Sequence, residues 1–225
     1  MTERPILMSK LMIRAILDGR KSMTRRVVKG LDKLAVQHQQ YHIGQIRYDT
    51  EDYFTRFEKL AGWSAFADTS PYGTLVKCPY GQAGDGLYVK ETHYRFGHWV
   101  KNGLTKTGRQ KWLFKPNDNE VRFMDNPPTV NVHRLSEKTA VGWFKRSSLF
   151  LPKSLARLHL EITNIRVERL QDIAPLDAIR EGLEGECHFG DNWKERFGIL
   201  WDSINSKTHP WESNPFVWVI EFRKV

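Results

Sequence analysis

Cysteine is nearly missing from this chain: there are two in 225 residues, Cys78 and Cys187, 109 positions apart. With no other cysteine beside either, they build neither a disulfide framework nor a zinc ribbon, and a reducing cytoplasm is the expected compartment. Long apolar runs are missing too. None approaches the roughly 20 residues of a membrane-spanning helix, so no membrane is expected among the partners. The opening MTERPILMSK lacks the basic segment, apolar core and small cleavage residues of a secretion signal. Internal repeats and low-complexity tracts are absent as well. The expectation is a soluble, cytoplasmic, globular protein.

What the chain does have is apolar mass and positive charge. Apolar residues make up 40 % and aromatics 12 %, with eight Trp, which excludes a disordered chain and a collagen-like or coiled-coil rod. The length suffices for one large domain or two small ones with a substantial core. Thirty-five basic residues against 26 acidic leave a net charge of +9. The excess is segregated. Residues 1–34 hold nine Lys/Arg and three Asp/Glu, residues 86–115 hold seven and one, and residues 170–203 reverse the sign with three and eight. A uniformly solvated surface does not need such sorting. Basic segments with aromatics between them (Tyr94, Phe96, Trp99, Trp112, Phe114) suit a polyanion whose bases can stack.

The pattern along the chain reads as α+β. Residues 9–18 form a short helix, capped by Ser9, with Met12, Ala15 and Ile16 on its inward face and Gly19 after its end. Thr24–Val28 turns β-like, and Leu87–Glu91 alternates as a strand behind the turn Gly84-Asp85-Gly86. LARLHLEIT and NIRVERL read as successive strands joined near Asn164. Pro175 opens a helix that ends near Gly182. Trp193, Phe197, Leu200, Trp201 and Ile204 mark a second helix, with Asp191 as its cap. FVWVIEF at 216–222 closes the chain as a buried strand. The architecture expected is one domain over 1–225 on a partly closed barrel, with insertions at about 35–83 and 95–150. The second insertion reads as decoration, because its periodic apolar content is thin.

Three constellations bear on chemistry. Gly19-Arg20-Lys21-Ser22-Met23-Thr24-Arg25-Arg26 places four cations in seven residues where a helix end enters a strand. Alternation sends Thr24 and Arg26 to one face and Arg25 to the other. A hydroxyl and a guanidinium at one mouth, with Lys21 before them, can hold a phosphate or a polar base edge. A desolvated lysine beside other cations can also lose its proton and serve as a base; a solvated basic turn is the plainer alternative. Glu181 follows Asp177 by one helical turn and can orient a lysine or shuttle a proton, or be an ordinary exposed helix acid. His93, His98, His133, His159, His188 and His209 include no His-x-x-x-His pair with a third ligand nearby, and Cys187-His188 is too tight for one ion, so no metal and no cofactor are expected. There is no phosphate loop of the Gly-x-x-x-x-Gly-Lys-Ser/Thr kind.

These blocks, taken in order, resemble the ASCH domain of the PUA-like superfamily: GRKSMTRR at 19–26, Gly84-Asp85 ahead of a strand, Ala178-Ile179-Arg180-Glu181-Gly182, and Val217–Phe222 at the close. The longer strings GDGLYVKET, VERLQDI, LWDSIN and NPFVWVIEF are most similar to the extended ASCH proteins of phages and prophages. The resemblance covers residues 5–28, 84–92 and 155–223. It implies a small mixed or antiparallel β-barrel with flanking helices, around a cleft that binds RNA or a modified nucleoside. For a phage-encoded chain it implies the host cytoplasm. Some compact bacterial members are amidohydrolases that deacetylate N4-acetylcytidine with a lysine, a threonine and a glutamate. Their Gly-Arg-Lys-Thr-x-Thr-x-Arg block carries the lysine onto Lys21, the second threonine onto Thr24 and the last arginine onto Arg26. Their glutamate carries onto Glu181. Ser22 departs from the block where it has a threonine, and Arg25 stands where those enzymes have an apolar residue.

Three functional readings follow. In the first, Lys21, Thr24 and Glu181 form a metal-independent catalytic set for the amide of an N4-acylated cytosine, and Arg20, Arg25, Arg26 and Lys90 bind substrate. In the second, the same mouth grips single-stranded RNA or DNA, or a modified base, without catalysis. A ribonuclease is the third.

Overall fold

A computed structural model describes residues 2–29, 43–49, 62–67, 73–134, 136–137, 140–183 and 192–225. In chain order its strands are β1 (Glu3–Leu7), β2 (Met23–Val27), β3 (Ile43–Asp49), β4 (Gly62–Ala67), β5 (Gly73–Val76) and β6 (Gly86–Lys90). There follow β7 (His93–Leu104), β8 (Gln110–Phe123), β9 (Val132–His133), β10 (Gly142–Arg146), β11 (His159–Arg169) and β12 (Phe216–Lys224). Among the described residues the α-helices are α1 (Lys10–Leu17), α2 (Pro175–Arg180) and α3 (Trp193–Asn205). The protein is α+β and mostly sheet. Its described sheets are open rows, none closing into a barrel. No described helix is long and apolar enough to cross a membrane.

The chain divides into two compact units. The first holds Met1–Thr2, Ala15–Gly86 and Leu160–Val225; the second holds Glu3–Arg14 and Leu87–His159. In the first, β12 lies between β11 and β2, antiparallel to both. Five consecutive residues of β12, Phe216 to Ile220, are buried, as a central strand covered on both faces requires. Against one face Met23, Val217 and Val219 pack with Leu170, Ile173, Ala178, Phe197 and Trp201 in a single apolar core. Helix α3 feeds that core through Phe197 and Trp201, and Trp211 lies over Gly198, where an added Cβ would stand 3.2 Å from its ring. Trp193 and Leu200 are half-buried, while Ile204 faces solvent.

The two strands expected across 155–169 are one, β11, which begins at His159. Its register against β12 slips between Ile162 and Asn164, so the polar break read as a chain turn is a bulge. Strands β3, β4 and β5 form an antiparallel three-stranded sheet within the stretch expected as the first insertion. The rest of 35–72 lies outside the described residues, as do Asp191 and the Cys187-His188 pair.

The stretch expected as thin decoration, 95–150, is strand-built. The second unit contains a sheet of order β8-β7-β10-β9, antiparallel except for the β9–β10 pair. Its periodic signal is confined to half of β7. His93, Arg95 and Gly97 are buried in alternation, whereas residues 101–104 are exposed, so an average over the whole stretch hides the pattern. The other pair in this unit is β1 with β6.

Candidate functional site

Lys21 is delivered by a helix end. Ser9 opens α1, its hydroxyl accepting from the Met12 amide at 3.3 Å, and Gly19 closes it at φ +73°. The amides of Arg20 and Lys21 both turn back to the Ala15 carbonyl, at 2.8 and 3.0 Å, which satisfies an end-of-helix acceptor. Ser22 is then pinned on two sides, its amide donating to Arg180 at 3.0 Å and its carbonyl accepting from Phe222 at 2.9 Å. That backbone leaves Lys21 at the entrance of β2, beside the end of α2.

Glu181 comes from that end. Pro175 starts α2 without an N–H to satisfy, and Gly182 breaks it at φ +95°. The Lys21 ammonium donates to the Glu181 carboxylate at 2.7 Å and to its backbone carbonyl at 2.6 Å. Lys21 is 3 % exposed and Glu181 5 %. Burial pushes the lysine's pKa below its ordinary value. The Glu181 charge and hydrogen bond oppose the shift, while Arg26 and Arg25 add to it. Burial thus shifts Lys21 toward its neutral form.

Glu181 is not held by Lys21 alone. Its other carboxylate oxygen accepts from Arg25 Nη1 at 3.4 Å. Arg25 also reaches Glu168, through Nε at 3.0 Å and Nη2 at 2.5 Å, and Asp177 through Nη2 at 3.1 Å. Arg166 extends the chain of charges to Glu168, Asp177 and Glu221. Three cations and four carboxylates thus alternate from α2 across β2 and β11 to β12. The sheet register explains the assembly, since Arg25 and Arg166 both stand opposite Val219 on its two flanks and therefore share a face.

The structure sorts the remaining sequence-predicted residues. Thr24 pairs with Ile220 and Arg26 with Trp218, so both take the sheet face opposite to Arg25, as alternation predicts. Thr24 is 1 % exposed, and no hydrogen bond joins it to Lys21 or Glu181. Arg26 is half-buried and close enough for its charge to act on Lys21. Arg20 lies at the surface, 3.1 Å from Asp18. Arg25 is 4 % exposed, and its N–H groups face carboxylates of its own chain. Lys90 belongs to the second unit and donates to the Leu149 carbonyl at 2.8 Å. Among the described residues no group of three His, Cys, Asp or Glu could hold a metal ion.

Sequence reasoning passed over Arg166, Glu168 and Glu221. A signal for them exists: charged residues recurring at every second position of otherwise apolar strands point at a common partner. Gly182 also matters beyond ending a helix. A Cβ there would come 3.2 Å from Ala15 Cβ and 3.6 Å from Lys21 Cβ, on a backbone that only glycine adopts without strain. Gly182→Ala is expected to destabilise the protein by about 1–2 kcal/mol, measured by urea unfolding. No family model, curated protein or solved structure matches this chain.

Proposed function

We propose that this chain is an ASCH-type, PUA-like protein whose Lys21, Thr24 and Glu181 hydrolyse the exocyclic amide of an N4-acylated cytidine or cytosine. The observation that carries the reading is the buried contact between Lys21 and Glu181, 2.7 Å long. An ion pair taken out of water is a poor way to gain stability, since packed apolar groups serve as well or better. A lysine whose pKa is pulled down by burial, against a carboxylate that can take or return a proton, is suited to general acid–base work.

In the reaction, neutral Lys21 accepts the proton of the Thr24 hydroxyl, or of a water that Thr24 positions, as the oxygen attacks the acyl carbon. The proton passes from Lys21 to Glu181 along their contact, and Glu181 gives it to the N4 amine as the C–N bond breaks. Where Thr24 attacked, one water then hydrolyses the acyl-threonine ester and restores the hydroxyl; in either route one water is consumed, the acyl group leaves as a carboxylate, and cytidine is released. Arg26 faces the same side of β2 as Thr24 and is the residue to hold the base or ribose. Arg25 acts through Glu181, which it orients.

The test is chromatographic: purified protein is incubated with N4-acetylcytidine, and cytidine is separated from substrate. Cytidine from the wild type and none from Thr24→Ala is the expected result. Absence of cytidine at any enzyme concentration overturns the reading. A second reading has its own observation, the hairpin tip of β7 and β8, where Lys101, Lys106, Arg109, Lys111 and Lys115 are all exposed. A strip of that kind suits the phosphates of a single strand. Oligonucleotide binding that weakens steeply with salt, in a protein with no amidohydrolase activity, would favour it.

A further inference from the structure

The four-stranded sheet of the second unit holds another concentration of positive charge, set into one face rather than along its rim. Register places Arg146 opposite His93, Phe144 opposite Arg95 and Phe114 opposite Trp99, so their side chains share a face. Gly97 and Gly142 pair at the middle of that face. A Cβ at Gly97 would stand 2.7 Å from the Phe114 ring, and one at Gly142 2.3 Å from the His133 ring. The missing side chains let aromatic rings lie down on the sheet.

Among those rings sits the Arg146 guanidinium, 4.6 Å from the centre of Trp99, 4.6 Å from Phe114 and 4.7 Å from Phe150. Aromatic faces stabilise a cation but accept few hydrogen bonds. Among the described residues no carboxylate stands within ion-pair reach of Arg146 or Arg95. Arg95 is 7 % exposed. It satisfies one donor on the Asp118 carbonyl, Nη2 to O at 2.6 Å, yet its Nε is buried without a partner, and so is Trp99 Nε1. Buried donors are almost always paired, and a buried charge without a counter-charge is costly. His93 adds no charge of its own at neutral pH, because burial lowers its pKa and both arginines push it further. The Asp118 charge acts on Arg95 from a distance and Glu137 is taken by His133, so the face offers two guanidinium charges with no paired carboxylate and two buried N–H groups without a partner.

We propose that this face binds the dianionic phosphate of a phosphate monoester, with Arg95 and Arg146 supplying the charge and Arg95 Nε and Trp99 Nε1 donating hydrogen bonds to its oxygens. A carboxylate would neutralise one guanidinium and leave the other. A phosphate dianion matches both charges, and its three oxygens take more donors. Phe150, 63 % exposed, stands at the edge of the ring cluster and gives the remainder of the monoester a surface to lie on. This site is independent of the Lys21–Glu181 pair.

The test uses the full chain. Inorganic phosphate is titrated at constant ionic strength against chloride, and the Trp99 indole N–H, assigned with Trp99→Phe, is followed in a proton–nitrogen correlation spectrum. The expected result is a saturable downfield shift of that resonance, with affinity falling at least about tenfold in Arg95→Gln and in Arg146→Gln. Arg122→Gln removes a cation from the opposite face of the same sheet, paired with Glu120, and is expected to leave affinity unchanged. Should the glutamine variants fail to fold, the wild type decides: no saturable shift at phosphate on the order of 10 mM overturns the proposal. Equal weakening in Arg122→Gln overturns it as well, because general surface charge would then explain the binding. Cytidine 5′-monophosphate binding tighter than phosphate identifies a nucleotide as the source; equal affinity identifies free phosphate.

Discussion

Lys21→Ala is expected to lower turnover of N4-acetylcytidine by about 10³-fold or more, the range that a positioned general base contributes. Glu181→Gln should fall by a similar factor, because the amide keeps the shape of the carboxylate but neither holds nor returns the proton. The two effects should not add, since each residue serves the same transfer. Folding should survive in Lys21→Ala, as Arg25 still contacts Glu181; the circular dichroism spectrum checks this. The pH profile separates a base from a merely structural lysine. Only the neutral amine accepts a proton, so kcat/KM rises with pH through the folded-state pKa of Lys21. That pKa is lowered by burial first, with the charges of Arg26 and Arg25 adding to the shift. Arg26→Gln deletes one of those charges, so the ascending limb should move to higher pH. A limb that stays in place would remove Lys21 from the role of base.

The same shift has a consequence for stability. The folded chain binds fewer protons than the unfolded one between the lowered value and the ordinary 10.5. This group's contribution to stability therefore rises with pH across that window and is least favourable below it. Burying a lysine at this cost is consistent with a site selected for chemistry.

The parts of the fold legible beforehand were those in which one local rule dominates. Ser9 and Gly19 bracket α1 because capping is a property of a few adjacent residues. The approach of Lys21 to Glu181, 160 positions apart in sequence, was legible only through a resemblance of ordered motifs, since no local pattern encodes so distant a contact. Asn164 misled because a polar residue between alternating runs marks a turn or a bulge equally well. Only the pairing with β12 decides between them. The β7–β10 sheet was missed for a different reason: one of its faces carries the buried Arg95 and Phe144 beside the half-buried Arg146, and cations in such positions read as surface. Arg25 shows the same effect. A guanidinium in a basic run suggests a substrate contact, whereas its burial among Glu168, Asp177 and Glu181 makes it the internal counter-charge of the site.

That placement gives Arg25 the largest expected effect on stability. Arg25→Met keeps apolar bulk but leaves Lys21, Arg166 and the more exposed Arg180 to balance Glu181, Asp177, Glu168 and Glu221, all four acids at least partly withdrawn from water. Removing one partner of a buried cluster strands charge that the protein cannot solvate, and the loss is about 3–5 kcal/mol, read from urea unfolding at constant m-value. An arginine whose work is to grip substrate would behave otherwise, raising KM with little change in the unfolding midpoint. A deficit under about 1 kcal/mol, the scale of a solvent-screened pair, would mean that water reaches the cluster and that Lys21 alone orients Glu181.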